Sequence, residues 1–161
     1  MNILVAGGTG FIGKKIVKSL ANEGYKVFVL TRDIINHQNT FTKDIQLIDW
    51  SSKNPSKLKE ISVLIKLNGE KVDQLWTKSA KDKIINSRIA TSKMLFDFCV
   101  NNEIVPEKLI NASAVGIYAR NSAQYNSSVD ENSQKEIHFY QKFVLKMNKV
   151  LNFLMFLKTL K

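Results

Sequence analysis

The sequence has a single cysteine, Cys99, and only two histidines, His37 and His138, in 161 residues. A lone cysteine makes no internal disulfide, which fits a chain kept in a reducing cytosol, so a cytoplasmic location is expected. The histidines stand far apart with no Cys or His nearby. The ligand spacing of a metal site is therefore missing, and no metal is expected. Long apolar runs are scarce as well. The most apolar stretch, residues 150–160, is interrupted by Asn152 and Lys158 and is too short to span a bilayer. The chain enters a strand pattern directly after Met1 and Asn2, without a basic and then apolar leader, so neither secretion nor a membrane partner is expected. Acidic residues are the minority, 14 against 24 basic ones, for a net charge of +10. The lysines are scattered, as at Lys14, Lys18, Lys26 and Lys43, rather than gathered in one run. That pattern reads as a solvated basic surface, and no nucleic-acid partner is expected.

What remains is enough for one compact domain, with 44% hydrophobic residues and no internal repeat or linker. Apolar runs of strand length alternate with helical patterns. The predicted strands are residues 3–6, 26–31, 45–49, 61–67 and 108–112, and the predicted helices 11–22, 55–60, 77–101 and 136–160. Residues 36–43 read as a polar loop, and Gly24 as the residue that ends the first helix. In the third helix Ile84, Ile85, Ile89, Met94, Leu95, Phe98 and Cys99 form the apolar stripe. Strands alternating with helices predict an α/β, Rossmann-type doubly wound parallel sheet of order 3-2-1-4-5.

The join between the first strand and first helix carries the clearest chemistry. Gly7, Gly10 and Gly13 fit G-x-x-G-x-x-G: a tight turn, a close backbone approach to a pyrophosphate, and close packing of helix on sheet. The diphosphate of a dinucleotide would lie on the helix N-terminus, where free N–H groups favour an anion. Other polar residues follow the strands at the same end: Thr31, Arg32 and Asp33, then Asp49 and Trp50, then Asn68, Gly69 and Glu70, then Ser113. Arg32 lies nineteen residues past Gly13, where a ribose is met. Its guanidinium suits a 2′-phosphate and favours NADP, whereas Asp33, one residue on, keeps NAD open.

The glycine loop, the Leu30-Thr31-Arg32 ending, Gly69-Glu70, the run Trp76-Thr77, Lys83-Ile84, Ser87-Arg88, Thr91, and Asn111-Ala112-Ser113-Ala114-Val115-Gly116-Ile117-Tyr118 together resemble the epimerase-like, atypical extended short-chain dehydrogenase/reductase group. The resemblance covers about residues 1–120. It implies that Gly7, Thr9, Gly10, Phe11, Ile12 and Gly13 wrap the diphosphate, and that Thr31 and Arg32 hold the adenosine phosphate. It places Leu67 and Gly69 on the nicotinamide side, Glu70 and Arg88 on the floor, and Ser113 at the reacting position; should the chain turn over, Tyr118 or Glu70 would supply the proton. Its substrates would be sugar nucleotides or small carbonyls. Trp76 and Tyr118 read equally as packing residues, and Arg88 as a partner of Glu70.

This chain departs from the family in two places, and in a third it departs, as the family itself does, from active short-chain reductases. Lys66 and Asn68 stand where smaller or neutral residues are usual, and would crowd the nicotinamide. Short-chain reductases pair a tyrosine with a lysine four residues later, yet Tyr118, Tyr125 and Tyr140 are followed at that offset by Ser122, Val129 and Val144. Impaired catalysis is expected, with a non-catalytic dinucleotide-binding or interaction module as the alternative. Finally, the chain ends where family members continue into a substrate-binding part. A single domain spanning 1–161, truncated before a substrate domain, is expected, and its apolar tail at 143–161 would favour self-association.

Overall fold

In the computed structural model, residues 1–112 apart from 54, 72, 73 and 76 are described, and the sheet, its edges and its cores are those of the described residues. The expected final loop and helix, the tail, Ser113, Tyr118 and Trp76 lie outside them. Strand β1 (Asn2–Ala6) takes the middle of a five-stranded sheet. It pairs in parallel with β2 (Lys26–Thr31), from Asn2↔Lys26 to Ala6↔Leu30, and with β4 (Ile61–Lys66), from Ile3↔Val63 to Ala6↔Lys66. Strands β3 (Gln46–Asp49) and β5 (Lys108–Asn111) complete the edges in parallel. The order β3-β2-β1-β4-β5 is the 3-2-1-4-5 arrangement expected.

The central strands are largely apolar because both faces are covered, and side chains alternate between the two. Leu4, Ala6, Phe28, Leu30 and Leu64 pack with Leu95, Phe98 and Cys99 of helix α4 (Lys78–Asn101). Ile3, Val5, Val27, Val29, Val63 and Ile65 pack on the opposite face with Val17 of helix α1 (Phe11–Asn22). Helix α1 ends at Gly24, whose φ is +82°. Its N–H donates to the Ala21 carbonyl, and that of Tyr25 to the Leu20 carbonyl, a paired closure that a left-handed residue permits. At the start of α4, Thr77 Oγ1 accepts the Ala80 N–H at 3.2 Å.

Two local expectations fail. Residues Ile34–His37 form a one-turn helix, α2, where a loop was expected to begin; Asp33 Oδ1 accepts the Asn36 N–H at 3.0 Å, so a single cap rather than an apolar period makes it. A second short helix, α3, spans Pro55–Leu58. Met94 was assigned to the α4 core stripe but is 44% exposed. The buried line instead runs through Ile84, Ser92, Leu95 and Cys99. Ser92 is tolerated there because its hydroxyl donates to the Arg88 carbonyl at 2.7 Å.

Lys66, the last residue of β4, is 2% exposed. Burial, and secondarily the charge of Arg88, lower its pKa from 10.5 to about 8. Below pH 8 the amine is charged in folded and unfolded chains alike. Between pH 8 and 10.5 the unfolded chain holds a proton that the folded one has lost, so folding stability gains from rising pH in that window. Lys66→Met, which keeps the length and removes the charge, should raise stability at pH 7 by up to about 3 kcal/mol and abolish the gain. Urea unfolding of both proteins at pH 7 and pH 9.5 tests this, and identical pH dependence in the two would contradict it.

A methyl group on Gly13 would lie 2.7 Å from Gly8 Cα and closer still to the Gly7 carbonyl oxygen, both backbone atoms that cannot move aside. One on Gly24 would meet nothing within 4 Å and suffers only from the positive φ. Gly13→Ala is therefore expected to cost about 3 kcal/mol or more in urea unfolding, and Gly24→Ala about 1 kcal/mol.

Candidate functional site

At the carboxyl end of β1 the chain turns through Gly7, with φ +89°. A Cβ there would lie 2.6 Å from the Asn68 nitrogen and 2.9 Å from the Leu67 carbonyl carbon, so the segment after β4 passes directly across this turn. The Gly10 N–H donates to the Gly7 carbonyl at 3.1 Å, and Gly10 then begins α1 with extended backbone and no side chain to cap it. The first intrahelical bond reaches Gly10 only from Lys14. The N–H groups of Phe11, Ile12 and Gly13 precede that bond, and the first turn holds no acidic residue to occupy them. Phe11 and Ile12 are themselves 83% and 63% exposed.

Beside this turn lies a cleft of about 580 Å³ at the carboxyl ends of β1, β2 and β4. It gathers Gly7, Thr9 and Gly10 from the glycine loop, Thr31 and Arg32 from the end of β2, and Leu67, Gly69 and Glu70 from the segment after β4. These eight are sequence-predicted site residues. Gly13 sits beneath the loop as the packing contact, and Phe11 and Ile12 form the exposed first turn of α1.

Asp33 borders the cleft, but its carboxylate accepts both the N–H and the side-chain amide of Asn36. Those bonds hold its pKa below the usual carboxylate value. Thr31 Oγ1 accepts the Asp33 N–H at 3.1 Å and so fixes the turn that presents Arg32. Asp49 is engaged in the same way: its carboxylate accepts the N–H and hydroxyl of Ser51, which lower its pKa. Its neighbour Trp50 lines the cleft instead, its ring edge-on to Phe98 with centroids 6.0 Å apart.

The opposite wall is clamped from behind. The Leu67 N–H donates to the Ala6 carbonyl at 2.8 Å, and Lys66 Nζ lies 3.4 Å from the Asn68 carbonyl oxygen. The Glu70 N–H donates to Ser87 Oγ at 3.0 Å, and that hydroxyl donates on to the Ile84 carbonyl. Arg88 packs against Gly69, where a Cβ would lie 3.0 Å from Arg88 Cγ, and its Nη1 donates to the Ile84 carbonyl. Arg88 thus supports the wall rather than lining the cleft. Asn68 does line it, and its Oδ1 is buried without a hydrogen-bond partner among the described residues.

Sequence reasoning did not assign His37, Ser87, Thr91 or Met94 to a ligand, yet all four border the cleft. The last three share one face of α4 at spacings of four and three, a mixed polar and apolar row that was readable as a second face. Among the described residues, no three His, Cys, Asp or Glu side chains group as metal ligands, and no helix is long and apolar enough to cross a membrane. The uncapped helix start and the side-chain-free approach at Gly7 and Gly10 suit an anion such as a diphosphate, and the exposed Arg32 borders the same cleft.

Comparison with known proteins gives the same direction. Residues 3–148 match the model of the NAD dependent epimerase/dehydratase family. An epimerase family protein of Staphylococcus saprophyticus is 36% identical over 116 residues, which are 71% of this chain and 38% of that protein. One from Bacillus subtilis is 35% identical over 121 residues, covering 73% and 39%. The chain thus spans about two fifths of the length of these relatives. Among solved structures, the human epimerase family protein SDR39U1 with NADPH superposes with a TM-score of 0.70 at 22% identity, over 94% of this chain and 48% of that one. A UDP-glucuronic acid 4-epimerase mutant of Bacillus cereus, in complex with a fluorinated UDP-sugar and NAD, gives 0.68 at 24% identity, over 96% and 52%. These two likenesses show the fold, and the family match over most of the sequence shows the membership: this chain belongs to the NAD dependent epimerase/dehydratase family.

Proposed function

We propose that this chain binds a nicotinamide dinucleotide in the cleft described above, with NADP preferred over NAD, and that it turns over a sugar-nucleotide or small carbonyl substrate slowly or not at all. The observation that carries the cofactor reading is the contrast between Asp33 and Arg32. The carboxylate that would accept hydrogen bonds from a free ribose diol is engaged by Asn36, and the guanidinium beside it borders the cleft. Relatives of the fold have been solved with NAD and with NADPH, which supports the class of ligand.

The residues divide the work. The N–H groups at the start of α1 take the diphosphate, and Thr9 closes over it. Arg32 forks onto the ribose phosphate, with Thr31 holding the turn. Leu67 and Gly69 form the wall along the nicotinamide, Gly69 leaving room by its missing side chain. A bound nicotinamide supplies hydride transfer. Ser113 hydrogen-bonds the substrate oxygen, and Tyr118 or Glu70 exchanges its proton. With no lysine four residues after Tyr118, Tyr125 or Tyr140, the cation that would assist a tyrosine's proton transfer is missing at that offset, and roughly 10² to 10⁴ of proton-transfer rate is lost. A chain that binds cofactor without turnover is the second reading, favoured by that same missing lysine.

Titration with NADPH and NADH should show NADPH tighter by about 1 to 3 kcal/mol, and Arg32→Ala should erase the difference. Equal affinities in the unaltered chain contradict the assignment. With UDP-sugars or small carbonyls and bound NADPH, oxidation at about 1 s⁻¹ or faster, abolished by Ser113→Ala, would contradict impaired catalysis.

A further inference from the structure

We infer that His37 is a second donor to the ribose phosphate of the cofactor, one whose bond is strengthened by protonation, so that the preference for the phosphorylated dinucleotide depends on pH. The inference rests on the proposed binding reading and adds to it a residue and a dependence.

His37 is half-buried and borders the same cleft as Arg32. It closes the single turn of α2, whose start is fixed by the Asp33 cap directly after Arg32, so the short helix ties the imidazole to the guanidinium. Thr40 Oγ1 lies 3.4 Å from His37 Nδ1, which leaves Nε2 as the ring nitrogen for a ligand. The charged groups around it are Arg32 and Asp33 at the end of β2 and Asp49 at the end of β3, the strand on which α2 packs. Both carboxylates are engaged by their own turns, Asp33 by Asn36 and Asp49 by Ser51. Asp33 already acts on the imidazole through its charge, and an anion beside Arg32 adds a second partner of opposite charge.

Histidine is the side chain that gains its charge between pH 8 and 5. A protonated Nε2–H donates a charge-assisted hydrogen bond to a phosphate oxygen, whereas a ribose hydroxyl gains little from the extra charge. The proton should matter for NADP and not for NAD. The phosphate itself takes up a proton near pH 6, which opposes the effect, so the comparison belongs above that value and against a variant that shares the same ligand.

The test measures dissociation constants of oxidised NADP and NAD at pH 6.5 and 8.5 for the unaltered chain, His37→Asn and His37→Gln, with thermal melts to establish that the variants fold. The expected result is NADP binding about fivefold to tenfold tighter at pH 6.5 than at 8.5 in the unaltered chain, with NAD changing by less than about twofold. Both variants should bind NADP at either pH about as the unaltered chain does at pH 8.5. Variants that keep the pH dependence, or NAD affinity that follows the same curve, overturn the role of His37 while the binding reading stands. Failure of the unaltered chain to bind either dinucleotide at either pH overturns both.

Discussion

The structure depends on one close approach of backbones. At the end of β1 the turn at Gly7, the start of α1 at Gly13 and the segment at Leu67 and Asn68 meet with no side chain between them. A methyl group at either glycine would strike backbone atoms, so helix and wall can be this near only because the glycines are there. The nearness brings the free N–H groups of α1 beside the ends of β2 and β4, and the cleft follows from it. Around this point β1 lies between β2 and β4, and the crossovers on either side of it run to opposite faces.

The two ends of the cleft are built differently. At the β2 end, Thr31, Asp33 and Asn36 use their hydrogen bonds on one another, and the Arg32 side chain borders the cavity. At the β4 end the fixing groups lie behind the wall, in Ser87, Arg88 and Lys66, and the surface presented is glycine, leucine and an amide. The charged side chain and the flat, uncharged wall thus stand at opposite ends of the cleft. Lys66 is the costly member, since its amine is removed from water with only a long contact to a carbonyl in return.

Most of the fold was legible because its determinants are local and repeated. Apolar runs of strand length, a 3.6-residue stripe and three spaced glycines fixed the strand order, and α1 and β2 match their predicted bounds to the residue. What escaped notice rests on single contacts. Helix α2 exists through one Asp33 cap, and no periodicity marks four residues. Met94 fell within the α4 pattern because a 24-residue helix carries two adjacent faces, and spacing alone does not say which one meets the sheet. Asp49 follows a strand at the right end, yet Ser51, two residues on, claims its carboxylate and Trp50 faces the cavity instead. Gly7, Gly10, Arg32 and Gly69 were readable because a missing side chain or a fixed charge needs no partner to be recognised.

The central claim is that the glycine turn and the ends of β2 and β4 form one ligand-binding surface. Amide chemical-shift mapping by NMR during titration with NADPH tests it most directly. The account predicts saturable shifts at Gly10 to Gly13, at Arg32 to His37 and at Leu67 to Glu70, with β5 (Lys108–Asn111), on the sheet edge, unmoved. Shifts scattered over the lysine-rich surface that leave Gly10 to Gly13 unmoved would contradict it.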